Sequence, residues 1–170
     1  MAHMKTVFRL ILIFLIFQAP AWATELSPTW YSKSTDNQVV INIEMFLSST
    51  CPHCQNADAF FRDLEAKNPD LHVQRYYINQ DKNALGRFYQ LLSAQQMDDF
   101  AVPSIYFCNS RWVGFTSAET TGKDLLQGIN YCKQQIQKKG KLTQTTVDAL
   151  RHLANANRFI TGLVEKPSRL

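Results

Sequence analysis

Apolar and polar positions along the chain divide it into short continuous apolar runs and longer segments with a helical stripe. The first run, Leu10 to Phe17 (LILIFLIF), has no polar outer face. It is too short to cross a bilayer, which needs a helix of ~20 residues. Val39 to Leu47 (VVINIEMFL) is nearly continuously apolar and rich in β-branched residues, as expected of a strand covered on both faces. Behind it, Pro52 suits a first helical turn that Thr50 can cap, and Ala57, Phe60, Phe61 and Leu64 recur at helical spacing until Asn68-Pro69-Asp70 stops them. Leu71 to Ile78 alternates as a second strand. Leu85, Phe88, Leu91 and Leu92 predict a helix over Asn83 to Ala94.

Val102 to Phe107 and Trp112 to Phe115 flank the short turn Cys108 to Arg111 and predict a hairpin. A long helix follows from near Gly122 to about Gly140, with Leu125, Leu126, Ile129, Cys132 and Ile136 on its inner stripe. Residues 143 to 164 carry a further amphipathic pattern, with Val147, Leu150, Leu153, Ile160 and Leu163 apolar and Thr143 or Thr146 as cap, beside a core that could be complete without it. The order β, α, β, α, β, β, α describes an α/β domain with a central mixed sheet and helices on both faces, plus an extra C-terminal helix. At 170 residues and 45% hydrophobic content the chain supports one sizeable core. No internal repeat interrupts it, which excludes a solenoid.

Composition changes the picture mainly at the two ends. Met1-Ala2-His3 reads as a cloning scar ahead of a natural start at Met4. Lys5 and Arg9 then form a basic n-region before the apolar run, and Ala21-Trp22-Ala23 fits a small-x-small cleavage site. Export to the periplasm is expected, with a mature chain from near Thr24 and a polar lead-in segment over residues 24 to 38. Without Lys5 and Arg9 there are 16 basic and 14 acidic residues, a balance that does not suggest nucleic-acid binding. The charge is uneven, because 8 basic and 2 acidic residues fall between Lys133 and Leu170. That basic tail over residues 141 to 170 could lie against a partner or an anionic membrane surface, or be a solvated helix.

Export also puts the four cysteines where disulfides persist. Cys51-Pro52-His53-Cys54 lies at the junction of a buried strand and a helix N-terminus. Such a terminus presents unpaired N–H groups and about half a positive charge, which favours a thiolate. Cys51 is the expected attacking sulfur, Cys54, one turn on, the resolving one, and His53 adds positive charge beside the thiolate. A four-cysteine zinc site uses two close-spaced pairs, whereas Cys108 and Cys132 are 24 apart, so no metal is expected.

The CPHC motif resembles the thioredoxin superfamily, and in particular the periplasmic disulfide oxidases of the DsbA type. The resemblance spans roughly Val39 to Lys139, and the domain is taken as 39 to 140. It implies a thioredoxin-like fold without the helical insertion of the DsbA type, since only Asn79 to Ala101 separates the second strand from the hairpin. It also implies a cis-proline facing the cysteines, which Val102-Pro103 provides 49 residues after Cys54. Relatives bury an acidic proton shuttle on the first strand, for which Glu44 is the candidate. A structural Glu44 would instead be paired or shifted in pKa.

Cys108 ends its strand about 4 × 3.3 Å, roughly 13 Å, below Pro103. Cys132 lies 9 × 1.5 Å, again roughly 13 Å, into the last helix. A structural Cys108–Cys132 disulfide is therefore predicted, with two buried free thiols as the alternative. The expected function is an exported thiol-disulfide oxidoreductase without a cofactor, monomeric, exchanging disulfides with client proteins or a membrane redox partner. The Val102 backbone would pair with an extended client segment. Alternatives are a redox-inert binding module on the same scaffold, or a relay domain cut from a membrane electron-transfer protein.

Overall fold

The two faces of one strand organise the molecule. In the computed structural model, which describes residues 30–160, β2 (Val39–Leu47) buries Ile41, Ile43, Met45 and Leu47 on one side and Phe46 on the other. The expected leader, the start of the lead-in segment and residues 161–170 of the tail lie outside the described residues. Around β2 the chain runs through β1 (Tyr31–Lys33), α1 (Pro52–Lys67), β3 (Leu71–Tyr77), α2 (Lys82–Ala94), β4 (Ser104–Phe107), β5 (Ser110–Val113), a π-helical turn (Ala118–Gly122), α3 (Lys123–Lys139) and α4 (Gln144–Ile160).

The sheet is mixed. β3 pairs with β2 in parallel, whereas β1 and β4 pair with it antiparallel and β5 closes a hairpin on β4. Ile41 N–H reaches the Asp70 carbonyl on the β3 side and Asn42 N–H the Trp30 carbonyl on the other, so β1 and β4 share one edge of β2, one beyond the other. This is the α/β architecture with a central mixed sheet that the apolar pattern predicts. The main core packs Ala57 and Phe61 of α1, Leu125, Ile129 and Ile136 of α3, and Leu150 and Ala154 of α4 against the odd-numbered face of β2. A second cluster, on the even face, stacks Phe46 with Phe88 of α2 at 4.7 Å and gathers Trp30, Leu91, Leu92 and Tyr106.

Four local features depart from the sequence expectations. β1 was not expected in the polar lead-in segment. It forms because Trp30 docks into the second cluster, stacked 6.5 Å from Tyr106, and brings the exposed backbone beyond it into register with β2. The hairpin turn is Cys108-Asn109, shorter than the expected Cys108 to Arg111. Both turn residues have positive φ, 49° and 57°, matching the two-residue turns whose twist suits paired strands. The N-cap of α1 is Cys51, where Thr50 was expected. Finally, α4 is no addition to a finished core: Leu150 and Ala154 lie in the main cluster, completely buried.

Two glycines mark constraints. Gly128 lets α3 approach the hairpin closely, since a Cβ there would sit 2.8 Å from the Trp112 ring and 3.2 Å from Phe107. Gly140, at φ +76°, ends α3 in the left-handed conformation that glycine adopts without penalty. Cys108 and Cys132 are joined by a disulfide with their Cα atoms 6.5 Å apart, tying the hairpin turn to α3.

Candidate functional site

The chain leaves the end of β2 at Leu47 and turns into α1 through Ser48, Ser49 and Thr50. This turn is fixed from outside: Ser49 N–H donates to Asn79 Oδ1 at 3.1 Å, Asn79 Nδ2 donates to Ser49 Oγ at 2.9 Å, and Gln55 Nε2 donates to the Ser49 carbonyl at 3.0 Å. Cys51 then adopts an extended conformation and acts as the cap, its Sγ accepting the Cys54 N–H at 3.2 Å. A side chain that accepts at this position meets donors with no partner within the helix. Pro52 follows at the first helical position, where its missing N–H removes nothing the helix needs.

The two cysteines are free thiols in unlike surroundings. Cys51 is half-buried, whereas Cys54 is 1% exposed and its Sγ accepts the Ser48 N–H at 3.4 Å. Burial, and after it the hydrogen bond with Cys51, pushes the Cys54 thiol up from 9.0 to about 12, against the opposing pull of the Ser48 N–H. Cys54 therefore holds its proton in the dithiol form, and any attack through it needs that proton removed.

His53 is exposed, and its Nδ1 lies 2.9 Å from the Phe115 carbonyl. A carbonyl only accepts, so Nδ1 carries the proton in this bond. Through this bond the CPHC turn is tied to the segment after β5. Next to Phe115, Gly114 N–H donates to the Pro103 carbonyl at 2.8 Å. The Val102–Pro103 peptide is cis. The β2–β4 register pairs Phe46 with Ser104, and its continuation sets Pro103 opposite Leu47, where β2 hands over to the cysteine turn. Val102 and Cys51 are both half-buried and pack on the main core. The ladder between β2 and β4 ends at Ser104, so the Val102 backbone lies outside it. Cys51, Pro52, His53, Cys54, Val102 and Pro103 thus converge at one end of the sheet.

Glu44 does not join them. Arg87 of α2 grips its carboxylate with two bonds, Nε to Oε2 at 2.9 Å and Nη2 to Oε1 at 2.6 Å. As an even-numbered residue of β2, Glu44 shares the face of Phe46 under α2, while Cys54 packs on the opposite face. The sheet separates them, and the proton-shuttle expectation for Glu44 is corrected to a structural ion pair.

A carboxylate that lines the same cleft as Cys54 is Asp58, which sequence reading missed. It lies one helical turn beyond Cys54, and the two residues share the wall of a cleft of about 410 Å³ with Gln55, Arg62, Tyr77 and Gln80. Arg75, Arg62 and the Tyr77 hydroxyl all donate to Asp58. Burial works against ionisation here, but the bonds from Arg75 and Arg62 outweigh it and hold the carboxyl below its ordinary value. An acidic residue four places after a cysteine on one helix was the available signal.

Cys108 and Cys132 stand apart, completely buried and joined to each other. Among the described residues no three His, Cys, Asp or Glu side chains converge to hold a metal, and no helix is long and apolar enough to cross a membrane. No family model, curated protein or solved structure matches the chain.

Proposed function

We propose that the chain is an exported thiol-disulfide oxidoreductase with a thioredoxin-like fold, working through Cys51 and Cys54. The observation that carries this reading is the pairing of unlike sulfurs: Cys51 caps α1 at a partly open corner, and Cys54 lies buried one turn on with its thiol raised to about 12. A client thiolate attacks Sγ of Cys51 in the Cys51–Cys54 disulfide. The bond between the two cysteines breaks, and Cys54 leaves and takes up a proton. A second client thiolate then attacks the client sulfur of the mixed disulfide, releasing Cys51 as thiolate. The client loses two electrons and the pair gains them; the reverse sequence reduces a client disulfide.

The strongly raised Cys54 makes the division of labour one-sided. A sulfur that binds its proton so firmly is a poor resident thiolate, and the N-cap site is where helix N–H groups receive negative charge best. The Val102 backbone, outside the sheet ladder, supports docking of an extended client segment. Clients with thiols or disulfides and a membrane redox partner are the proposed partners, and no cofactor enters the scheme.

Cys54→Ser tests the scheme. With a disulfide-bonded model peptide, this variant should accumulate a mixed disulfide at Cys51 that mass spectrometry detects, whereas Cys51→Ser should form none. Equal adducts at both positions, or none at Cys51, would overturn the assignment.

A further inference from the structure

The segment from Gln95 to Ala101 carries the chain from α2 to Val102 without regular structure of its own. Two side chains of the hairpin reach it: Asn109 Oδ1 accepts from Gln95 Nε2 at 3.3 Å, and Arg111 makes most of the remaining contacts. Arg111 of β5 is 4% exposed, and its Nη2 donates to the Asp99 carboxylate at 2.6 Å, the Asp99 carbonyl at 3.0 Å and the Ala101 carbonyl at 3.3 Å. Its Nε donates to Ser104 Oγ at 3.0 Å, and that hydroxyl donates in turn to the Ala101 carbonyl at 2.7 Å. Nη1 approaches Met97 Sδ at 3.7 Å, and the rings of Phe88 and Tyr106 flank the guanidinium at 5.5 and 6.0 Å.

A slot between two aromatic rings could be filled by an apolar side chain without taking a charge out of water. The guanidinium differs in its fork of donors, which reaches backbone carbonyls and carboxylate together. Those contacts fall on both sides of Val102 and Pro103: Met97, Asp99 and Ala101 before them, Ser104 after. The arginine bridges the two ends of the stretch that faces the cysteine turn, and touches neither cysteine.

We infer that Arg111, with Asp99 and Ser104, is a positioning device for client capture: it holds the Val102–Pro103 backbone in the arrangement that an extended client segment pairs with. This rests on the oxidoreductase reading above. Loosening the clamp lowers the fraction of molecules ready to bind and raises the apparent dissociation constant in proportion. The chemistry at Cys51 and Cys54 is left as it was.

Asp99→Ala and Ser104→Ala test it, the second being the milder change should the first fail to fold. Each variant, folded by circular dichroism, is expected to raise KM for a disulfide-bonded peptide about tenfold, the effect of one lost charge-assisted hydrogen bond. The expected kcat stays within about twofold. The equilibrium constant of the Cys51/Cys54 couple with glutathione should not change. Wild-type KM in the folded variants, or a glutathione equilibrium that shifts together with KM, overturns the clamp alone. A wild-type protein that exchanges with neither peptide nor glutathione overturns the oxidoreductase reading and the clamp with it.

Discussion

The unequal burial of the two free cysteines makes stability at alkaline pH a direct probe of the site. In the unfolded chain Cys54 ionises around its ordinary 9.0, while in the folded protein its thiol persists to about 12. A raised pKa on a thiol means that the folded state binds the proton more tightly. The contribution is therefore fully present below pH 9 and is lost as the pH rises from 9 towards 12. At pH 10 the unfolded state gains about 1.4 kcal/mol from ionisation that the folded state does not share, and the loss continues at about 1.4 kcal/mol per pH unit until the folded thiol also titrates.

The cleanest comparison sets Cys51→Ala against the Cys51→Ala/Cys54→Ala double variant, so that no Cys51–Cys54 disulfide forms and burial, the larger cause of the shift, is kept. Tyr76 and Tyr106 are also raised above their ordinary values, in both cases mainly by burial, and their contribution cancels in the difference. Urea unfolding of both proteins from pH 8 to 10.5 should show the stability gap moving against the single variant by about 1.4 kcal/mol at pH 10. A gap constant to within a few tenths of a kcal/mol across that range would refute the burial of Cys54 as described.

Two further outcomes follow from the same structure. Replacing Cys108 and Cys132 together by alanine opens a loop of sequence separation 24 and should lower unfolding free energy by about 3.5 kcal/mol in the chain-entropy model, read from urea midpoints. A loss under about 1 kcal/mol would show that the bridge does not constrain the chain as argued. Glu44→Gln removes one partner of a half-buried two-bond ion pair and should destabilise by roughly 1.5–3 kcal/mol, with glutathione exchange at Cys51 unchanged. A slowed exchange with intact fold would return Glu44 to the proton path.

The strands and helices with strong apolar patterns were legible in the sequence because burial on one or both faces leaves a period. β2, α1, β3, α2 and α3 lie within a residue or two of where that period sets them. The rest depended on partners distant in sequence. β1 has only three residues, two of them exposed, and exists because Trp30 finds Tyr106 some seventy-five positions away. The hairpin was legible, but its turn was read two residues too long because cysteine rarely takes positive φ, so Asn109 alone signalled the tight Cys108-Asn109 turn. The membership of α4 in the core could not be read from its stripe, which says that a helix has an apolar face and not what covers it.

At the site, the spacing of CPHC and the strand before it placed Cys51 and Cys54, whereas Val102-Pro103 entered only through the resemblance and its expected cis-proline, which the structure has. The face of the sheet that Glu44 occupies follows from strand parity, since residues two apart share a face and Leu47, below the cysteine turn, lies on the other one. Asp58 and the Arg111 clamp went unread because both depend on arginines contributed by neighbouring strands.

The claim at the centre of the account is that Cys51 and Cys54 form a reversible redox couple. Equilibrating the protein with graded ratios of reduced to oxidised glutathione, quenching by alkylation and counting modified cysteines measures this directly. The account predicts one disulfide between Cys51 and Cys54, with a potential between about −270 and −120 mV, the range of working thiol-disulfide enzymes. A bond that never forms, or one that resists reduction below about −300 mV as structural disulfides do, would contradict it.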